Sequence, residues 1–293
     1  MHFKKTLKKE RQVKTMAKKK IGIIGGGISG AGLAYHLSLY EGEADVTVFE
    51  KDTIGGASTA KSAGTVCLFD DSLKNRYWDV RLYGFESYLK MEEEEKGSAG
   101  FDKTGTLVVA TNEEVEKVIK TGIALAKAAG YTGEYITDKD RIKEILPDIS
   151  TENILGAGYT EDDGYFDGTM ISNTYMKKAQ KNGVTVKTGV KVTDVKIVDN
   201  KVKGLVLENS ETGEKEELMV NGIFPFIGLD PMTQCAKSLG IVNAEGYIDA
   251  NENMETAVKG VFVAGDVRSK QLRQVVTATN DGAIAGQYIA SLK

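Results

Sequence analysis

Residues 21–37 read IGIIGGGISGAGLAYHL, and this stretch decides the fold. Its first four residues form a short apolar run rich in β-branched side chains, and its last seven follow a helical pattern. Between them Gly25, Gly27 and Gly30 are spaced as G-x-G-x-x-G. The stretch therefore predicts a strand, a glycine turn and a helix, which is the opening of a Rossmann-like dinucleotide-binding domain.

Each of the three glycines has its own role in such a turn. Gly25 permits the tight turn, Gly27 lets the backbone approach a pyrophosphate, and Gly30 lets the helix pack close to the strand. The unpaired N–H groups at the start of the helix, from Ile28 and Ser29 onward, are suited to bind phosphate. This pattern predicts that a dinucleotide diphosphate binds at the turn.

A second predicted strand, residues 45–49, ends at Glu50. A carboxylate at this distance from the glycine turn accepts hydrogen bonds from an adenosine ribose and disfavours a 2′-phosphate. The segment that follows, KDTIGGASTAKSAGT at residues 51–65, is rich in glycine and in small hydroxylated residues. It suits a backbone that runs beside the second half of a dinucleotide, although a flexible surface loop has the same composition.

This loop carries the first of two family resemblances. Gly56-Ala57-Ser58 resembles the Gly-x-Ser loop of the D-amino-acid oxidase, glycine oxidase and sarcosine oxidase superfamily, which lines the FAD diphosphate and approaches the isoalloxazine. The segment DGYFDG at residues 163–168 is similar to the return of that superfamily's chain into its cofactor domain. The resemblance covers about residues 18–210 and implies FAD as the cofactor, with backbone groups of Val192 facing the adenine.

The second resemblance begins at about residue 221 and is to the FAD-binding end of bacterial thioredoxin reductases. The matching stretches are GIFPFIG at 222–228, ENMET at 252–256, GVFVAGD at 260–266 and LRQVVTA at 272–278. The apolar run 261–264 predicts a buried strand that ends at Gly265-Asp266, and the resemblance implies that Asp266 binds a ribitol hydroxyl of FAD. The sequence carries neither a second glycine fingerprint nor a CxxC pair, so thioredoxin reduction is not expected.

Arg273, Gln274 and Val275 precede a predicted helix rich in Ala and Gly. The N–H groups and positive dipole end of this helix can face the flavin C2 carbonyl and N1, where negative charge gathers on reduction. Together the two resemblances and the glycine turn give one set of expected cofactor-binding residues. They are Gly25, Gly27, Ile28, Ser29, Gly30, Glu50, Lys51, Ala57, Ser58, Thr59, Ser62, Ala63, Gly64, Val192, Gly228, Gly265, Asp266, Arg273, Gln274 and Val275.

The expected fold class is α/β, an FAD/NAD(P)-binding Rossmann-like domain of the glutathione-reductase type with a small, truncated α+β substrate or cap domain. With 293 residues, 41% of them hydrophobic, the chain is long enough for both. We expect a disordered basic tail at 1–17, the FAD-binding domain at 18–74 and 161–293, and the reduced cap at 75–160. The predicted cap elements are helices at 77–96, 113–129 and 139–146 and strands at 104–110 and 135–137; a helix at 170–182 and strands at 184–188 and 190–198 follow.

The charge distribution, the hydropathy and the cysteine content limit the classes of binding partner, location and metal site that the sequence supports. The first 20 residues carry nine Lys or Arg and one Glu, so the body of this chain of net charge −4 is acidic, which argues against nucleic acid. No apolar run approaches the roughly 20 residues needed to span a bilayer, and the N-terminus has no secretory apolar stretch, so a cytoplasmic location is expected. Cys67 and Cys235 are expected to be small buried hydrophobes, and no metal site is indicated.

The sequence does not identify a catalytic group. Lys61 falls where the loop should pass the isoalloxazine and is a weak candidate for tuning the flavin or assisting oxygen reduction; a solvated lysine is the simpler interpretation. Tyr165 and Arg81 are candidates for holding a substrate carboxylate, although each can equally be structural. His36 is expected to pack rather than to catalyse, and the run Glu92–Glu95 is expected to be a solvated helix end.

Three functions remain open. The first is an FAD-dependent oxidoreductase that oxidises an amino acid or a secondary amine by hydride transfer to FAD. The second is an FAD-binding or electron-transfer subunit with no turnover of its own, which the reduced cap favours. The third is an NAD(P)H-driven flavin reductase. A homodimer or a partner subunit covering the flavin is expected, because a shortened cap should leave apolar surface exposed.

Overall fold

The computed structural model describes residues 18–40, 44–69, 78–227 and 231–292. The predicted basic tail at 1–17 and Gly228 lie outside the described residues. The chain divides into two compact units, residues 1–227 and 228–293, and each is described by itself. The predicted domain boundaries at 74 and 160 remain a prediction.

The first unit contains all the strands named below. They are β1 (Lys19–Ile24), β2 (Ala44–Glu50), β3 (Thr65–Val66), β4 (Thr106–Ala110), β5 (Glu134–Ile136), β6 (Gly156–Thr160), β7 (Gly164–Tyr165), β8 (Thr185–Thr188), β9 (Val190–Val198), β10 (Lys201–Asn209), β11 (Lys215–Met219) and β12 (Gly222–Pro225). Its helices are α1 (Ile28–Ser38), α2 (Trp78–Glu94), α3 (Glu113–Ala128), α4 (Lys139–Ile145) and α5 (Gly168–Lys181). The helices and strands predicted for this unit are confirmed.

A parallel four-stranded sheet in the order β12-β1-β2-β8 forms the centre of this unit. Alternate side chains of a strand point to opposite faces, and both faces here are covered. On one face Ile23 and Val48 are fully buried with the helices α1 and α5. On the other face Ile24 and Phe49 pack against the antiparallel sheet β11-β10-β9. Burial on both faces explains the continuous apolar run of β1.

The cap elements form a separate antiparallel sheet in the order β4-β6-β5. Helix α3 packs on β6, where a Cβ on Gly158 would lie 2.4 Å from a methyl of Ile119, so the sheet needs glycine for this close approach. Strand β4 begins two residues later than predicted. Gly105 interrupts it with φ +73° and donates its N–H to the carbonyl of Asp163 at 2.8 Å.

The second unit contains a 3₁₀ helix at Gln234–Leu239 and the helix α6 (Val275–Ser291). Its core is formed by Ala236, Ile241, Ile248 and Val263. The strand predicted at 261–264 is wrong: the run makes a single bridge, between Phe262 and Glu255. Val263 is buried as expected, but the backbone of the run bonds to Met254 and Thr256 and, across the turn between them, to Val258, so it closes a narrow hairpin instead of joining a sheet.

The cysteine prediction holds only in part. Cys67 is half-buried, whereas Cys235 lies exposed on the 3₁₀ helix, where one face of a short surface helix has to meet water. Among the described residues no three His, Cys, Asp or Glu side chains are grouped to hold a metal ion. In the same part of the chain no helix has the length and apolarity required to cross a membrane.

Candidate functional site

The glycine turn joins β1 to α1, and its glycines are required for two different reasons. Gly25 has φ +107°, and a Cβ there would lie 2.3 Å from the carbonyl oxygen of Phe226. A Cβ on Gly30 would lie 2.0 Å from the carbonyl oxygen of Gly25. Both positions are fixed by the chain's own packing, as predicted. Gly27 differs, because its Cβ would meet only the hydroxyl of Thr59, at 3.0 Å.

Glu50 ends β2 beside this turn and is half-buried. Its Oε2 accepts the N–H of Gly26 at 2.7 Å, and its Oε1 accepts the N–H of Asp52 at 2.9 Å. Each oxygen accepts one backbone donor and keeps a lone pair for a further donor. Glu50 can therefore accept hydrogen bonds from a ribose while it holds the turn.

The loop of residues 55–64 lies against the start of α1. Gly55 donates its N–H to the carbonyl of Gly26 at 3.0 Å, and the Thr59 hydroxyl accepts the N–H of Ile28 at 3.1 Å. The return segment lies on the same loop, because Phe166 donates its N–H to the carbonyl of Gly64 at 2.9 Å. The loop thus forms one wall of a cradle whose other wall is the glycine turn. Ala57, Ser58, Ser62 and Ala63 are exposed on it, and Lys51, which precedes the loop, is also exposed.

Val192 is connected to Glu50 through the neighbouring strands β8 and β9. In β2 and β8, Glu50 pairs with Thr188, and β9 begins two residues after β8 ends. Val192 is half-buried on β9, where it packs against the apolar cluster that contains Phe49 and pairs with Leu207. The predicted role of its backbone toward adenine stays a prediction.

These residues fit the adenosine and diphosphate parts of FAD. The N-terminus of α1 offers N–H donors and the positive end of the helix dipole, Gly27 leaves the backbone bare of a side chain, and Glu50 supplies a ribose acceptor. Thr59 shows that a small oxygen acceptor is accommodated at the N–H of Ile28. These groups suit the diphosphate and the ribose of FAD.

In the second unit the expected residues form one connected group. Gly265 has φ +85°, and the carbonyl of Asp266 accepts the Nε–H of Arg273 at 3.2 Å. The guanidinium of Arg273 stacks 3.8 Å from the ring centre of Tyr247. Gln274 caps α6 in a reciprocal pair with Thr277. The side chains of Asp266 and Val275 are exposed.

The candidate catalytic and substrate-binding residues are either exposed or in contact with other side chains of the first unit. Lys61 is exposed on the loop. The Tyr165 hydroxyl donates to Asp102 Oδ2 at 2.7 Å, and the charge of Arg81 acts on Asp163. His36 packs among Tyr35, Tyr83 and Tyr175, and burial lowers its pKa, which agrees with the predicted packing role.

Sequence reasoning missed two buried carboxylates. Asp163 lies in the segment 163–168. The N–H of Leu68 donates to both of its oxygens, to Oδ1 at 2.9 Å and to Oδ2 at 3.1 Å, and the Thr106 side chain donates a further hydrogen bond. Asp281 lies in the second unit and binds Arg268 and Lys270. One signal was available for Asp281, because it is the single charged residue of the 17-residue helix α6.

Comparison with known proteins decides the family. A family model described as FAD dependent oxidoreductase, the DAO family, matches residues 20–281. The chain belongs to this family. FAD is accordingly its cofactor, and the predicted α/β fold class and the resemblance to the amino-acid oxidase superfamily are confirmed.

Solved structures of similar fold include members that act on amino acids. The L-proline dehydrogenase from P. horikoshii is 25% identical, with a TM-score of 0.58, over 76% of this chain and 56% of that one. The glycine oxidase from Bacillus cereus is 22% identical, with a TM-score of 0.52, over 71% of this chain and 55% of that one, a likeness of fold alone.

Curated relatives confirm the resemblance to thioredoxin reductases over part of the chain. The thioredoxin reductase of Bacillus subtilis is 46% identical over 98 residues, 33% of this chain and 31% of that protein. The 34.2 kDa protein in the rubredoxin operon of Clostridium pasteurianum is 48% identical over 87 residues, 30% of this chain and 28% of that protein. The chain thus spans about a third of the length of the curated relatives it matches.

Proposed function

We propose that this family member holds FAD through the glycine turn, Glu50 and the loop 55–64, and that it oxidises an amino acid or a secondary amine. The observation that carries the proposal is the cradle at the start of α1, in a chain whose family is FAD-dependent. The substrate class is supported by the likeness to L-proline dehydrogenase. When bound, FAD supplies the acceptor for the hydride that leaves the amine carbon.

The proposed roles follow from the surroundings of each group. The N–H groups that begin α1 bind the diphosphate, and Glu50 orients the ribose through its two oxygens. In the second unit, the resemblance to thioredoxin reductases supports Asp266 as an acceptor for a ribitol hydroxyl. The start of α6, with Arg273, Gln274 and Val275, contributes positive potential toward the flavin.

The experiment is anaerobic mixing of the purified, FAD-loaded protein with a panel of amino acids, proline and N-methyl amino acids. At least one member should bleach the flavin absorbance. Glycerol 3-phosphate serves as the comparison substrate without an amine. Bleaching by none of the amines, or by the alcohol alone, contradicts the proposed substrate class.

One observation favours a second function, an FAD-binding or electron-transfer subunit without its own turnover. Of the two groups considered for holding a substrate carboxylate, Tyr165 already donates its hydroxyl to Asp102, and the charge of Arg81 acts on the buried Asp163. On this alternative the amine panel leaves the flavin oxidised, while a chemical reductant still reduces it. Efficient turnover by the isolated chain contradicts it.

The match to thioredoxin reductases keeps the third function, an NAD(P)H-driven flavin reductase, testable in the same apparatus. Stopped-flow mixing with NADH and NADPH separates it from the other two, and we expect slow or no reduction. Rapid reduction by either nicotinamide would instead support it.

We propose further that the protein is a homodimer or binds a partner subunit that covers the flavin. Val80 and Tyr83 on α2 and Met170 on α5 are exposed apolar side chains of the kind that association buries. Light scattering at micromolar concentration tests the homodimer, and a monomer contradicts it. The cytoplasmic location stays a prediction, to be tested by cell fractionation.

A further inference from the structure

Asp281 is the most completely paired charged group described in the second unit. Its side chain is 1% exposed although it lies on a helix that is otherwise uncharged. Its Oδ1 accepts Nη2 of Arg268 at 2.9 Å, and its Oδ2 accepts Nε of the same residue at 3.1 Å. Nζ of Lys270 donates to Oδ2 at 2.8 Å. A buried carboxylate with this many donors is costly to build, and fold stability alone rarely requires one.

The residues that bond to Asp281 lie on both sides of Asp266 in the sequence. The N–H of Gly265 also donates to Asp281 Oδ2, at 3.1 Å. The carboxylate therefore holds the chain just before Asp266 through a backbone N–H and just after it through two side chains. Between these ties the chain turns, with Gly265 at φ +85° and the Arg268 N–H bonded to the Gly265 carbonyl at 3.1 Å.

The side chain of Asp266 itself is left exposed by this arrangement. A side chain that points to solvent from a tight turn keeps its direction only if the backbone of the turn is fixed. The backbone of Asp266 receives one more tie, from Arg273 Nε to its carbonyl oxygen. The buried carboxylate and Arg273 thus hold the turn from two sides.

We propose that Asp281 is a positioning residue for the cofactor, which fixes the turn 265–270 so that Asp266 is held ready for FAD before FAD binds. The inference rests on the proposed function, because it takes Asp266 as the FAD ligand. Asp281 acts through the Gly265 amide and the two cations. It is not itself proposed to contact FAD.

The first test compares Asp281→Asn with Glu252→Gln, an exposed acidic residue of the same unit. In the apo-protein, amide hydrogen exchange of residues 265–270 should rise in Asp281→Asn and stay unchanged in Glu252→Gln. The dissociation constant for FAD, measured by flavin fluorescence, should rise at least about tenfold in Asp281→Asn alone, since a hydrogen-bonded charge is removed. Unchanged exchange or unchanged FAD affinity overturns the inference.

A second variant separates positioning from folding. The triple variant Arg268→Leu, Lys270→Met and Asp281→Leu replaces the ion cluster by apolar side chains, which commonly preserves stability. The triple variant should regain the thermal unfolding midpoint of the wild type while its FAD affinity stays weak, because the Gly265 amide has lost its acceptor. Recovery of FAD affinity together with stability would show a purely structural role and overturn the inference.

The outcomes also distinguish this inference from the proposed function. A wild-type protein that binds no FAD overturns the proposed function and the cofactor role of Asp281 with it. Hydrogen exchange in the apo-protein still reports whether Asp281 fixes the turn. A wild type that binds FAD, with an Asp281→Asn variant that binds it equally well, overturns the inference and leaves the proposed function intact.

Discussion

Asp163 and Asp281 are buried to almost the same extent, 0% and 1% exposed, yet their carboxyl groups differ strongly in pKa. Burial raises the pKa of Asp163 to about 6, and the N–H of Leu68 and the Thr106 side chain offset it only in part. Burial acts in the same direction on Asp281, but hydrogen bonds from Arg268, Lys270 and the Gly265 N–H outweigh it and bring its pKa to about 2.

At Asp281 the hydrogen bonds from two cations and a backbone N–H outweigh burial, whereas at Asp163 burial outweighs the accepted hydrogen bonds and the charge of Arg81. The two residues accordingly make opposite contributions to stability against pH. The contribution of Asp281 is present above the pKa of the unfolded chain, about 3.9, and is lost as the pH falls toward about 2. That of Asp163 is greatest below about 3.9 and is lost as the pH rises through about 6.

The largest expected effect comes from Asp281→Asn. The change leaves Arg268 and Lys270 without their anion, and Lys270 is only 8% exposed. Removal of one partner from a buried ion pair costs about 3–5 kcal/mol in the free energy of unfolding. Denaturant unfolding at neutral pH, followed by hydrogen exchange of the second unit, measures the loss. A loss below that of the exposed control Glu252→Gln contradicts the comparison.

The next effect is a pH dependence, tested with Asp163→Asn. A pKa raised from 3.8 to about 6 corresponds to a loss of up to about 3 kcal/mol of stability as the pH rises through this window. The asparagine variant, which cannot ionise, should lose less stability between about pH 4 and pH 7. The measurement is urea unfolding across that range, and equal slopes for variant and wild type contradict the prediction.

Glu161→Gln, at an exposed neighbouring position, is the matched control for this slope, and Asp162→Asn tests its sign. Although burial raises the pKa of Asp162, hydrogen bonds from Thr132 and Lys103 outweigh it, and the net shift is downward. Its contribution is therefore present at neutral pH and lost in acid, so its variant should change stability with the opposite sign.

Glu50 is half-buried, and its two carboxylate oxygens accept two backbone N–H groups. Glu50→Gln should weaken FAD binding by about 1.5–3 kcal/mol, because it removes a charged acceptor for the ribose hydroxyls. Asp45→Asn, at an exposed position on the same strand, is the control. Titration calorimetry of the apo-protein with FAD measures the effect, and equal affinities for the two variants would remove Glu50 from the site.

Asp163, Asp281 and Glu50 also show which features of a site can be predicted from the sequence. Glu50 was predictable because its role depends on local order: a strand, a glycine turn and an acidic residue at the next strand end. The pairing of Asp163 with Leu68 joins residues 95 positions apart, and no local pattern encodes such a contact. Asp281 is closer to its partners, but its burial depends on how α6 packs, which periodicity did not show.

The secondary structure likewise divides into elements that local sequence predicts and elements that depend on distant partners. The glycine turn predicted α1, whereas α3 and α5 could be predicted from apolar residues that repeat on one face. The run 261–264 had the composition of a buried strand, yet it found only the short segment 254–256 to pair with. Apolar composition reports burial, as Val263 shows, and does not report whether a neighbouring strand exists.

The smallest effect is expected for Glu92, which extends the comparison of carboxylates to one that lies near the surface. Instead of a solvated helix end, its carboxylate accepts the N–H groups of Gly97, Ala99 and Gly100 at 2.6, 2.9 and 3.0 Å. The Gly97 hydrogen bond is the main cause that lowers its pKa, so its contribution is lost as the pH falls through about 4 and below. Glu92→Gln should cost about 1 kcal/mol, because an amide can accept with only one oxygen. The exposed neighbour Glu93→Gln should cost nothing measurable in urea unfolding at neutral pH, and equal losses in both would show that backbone donors do not stabilise a carboxylate at the surface.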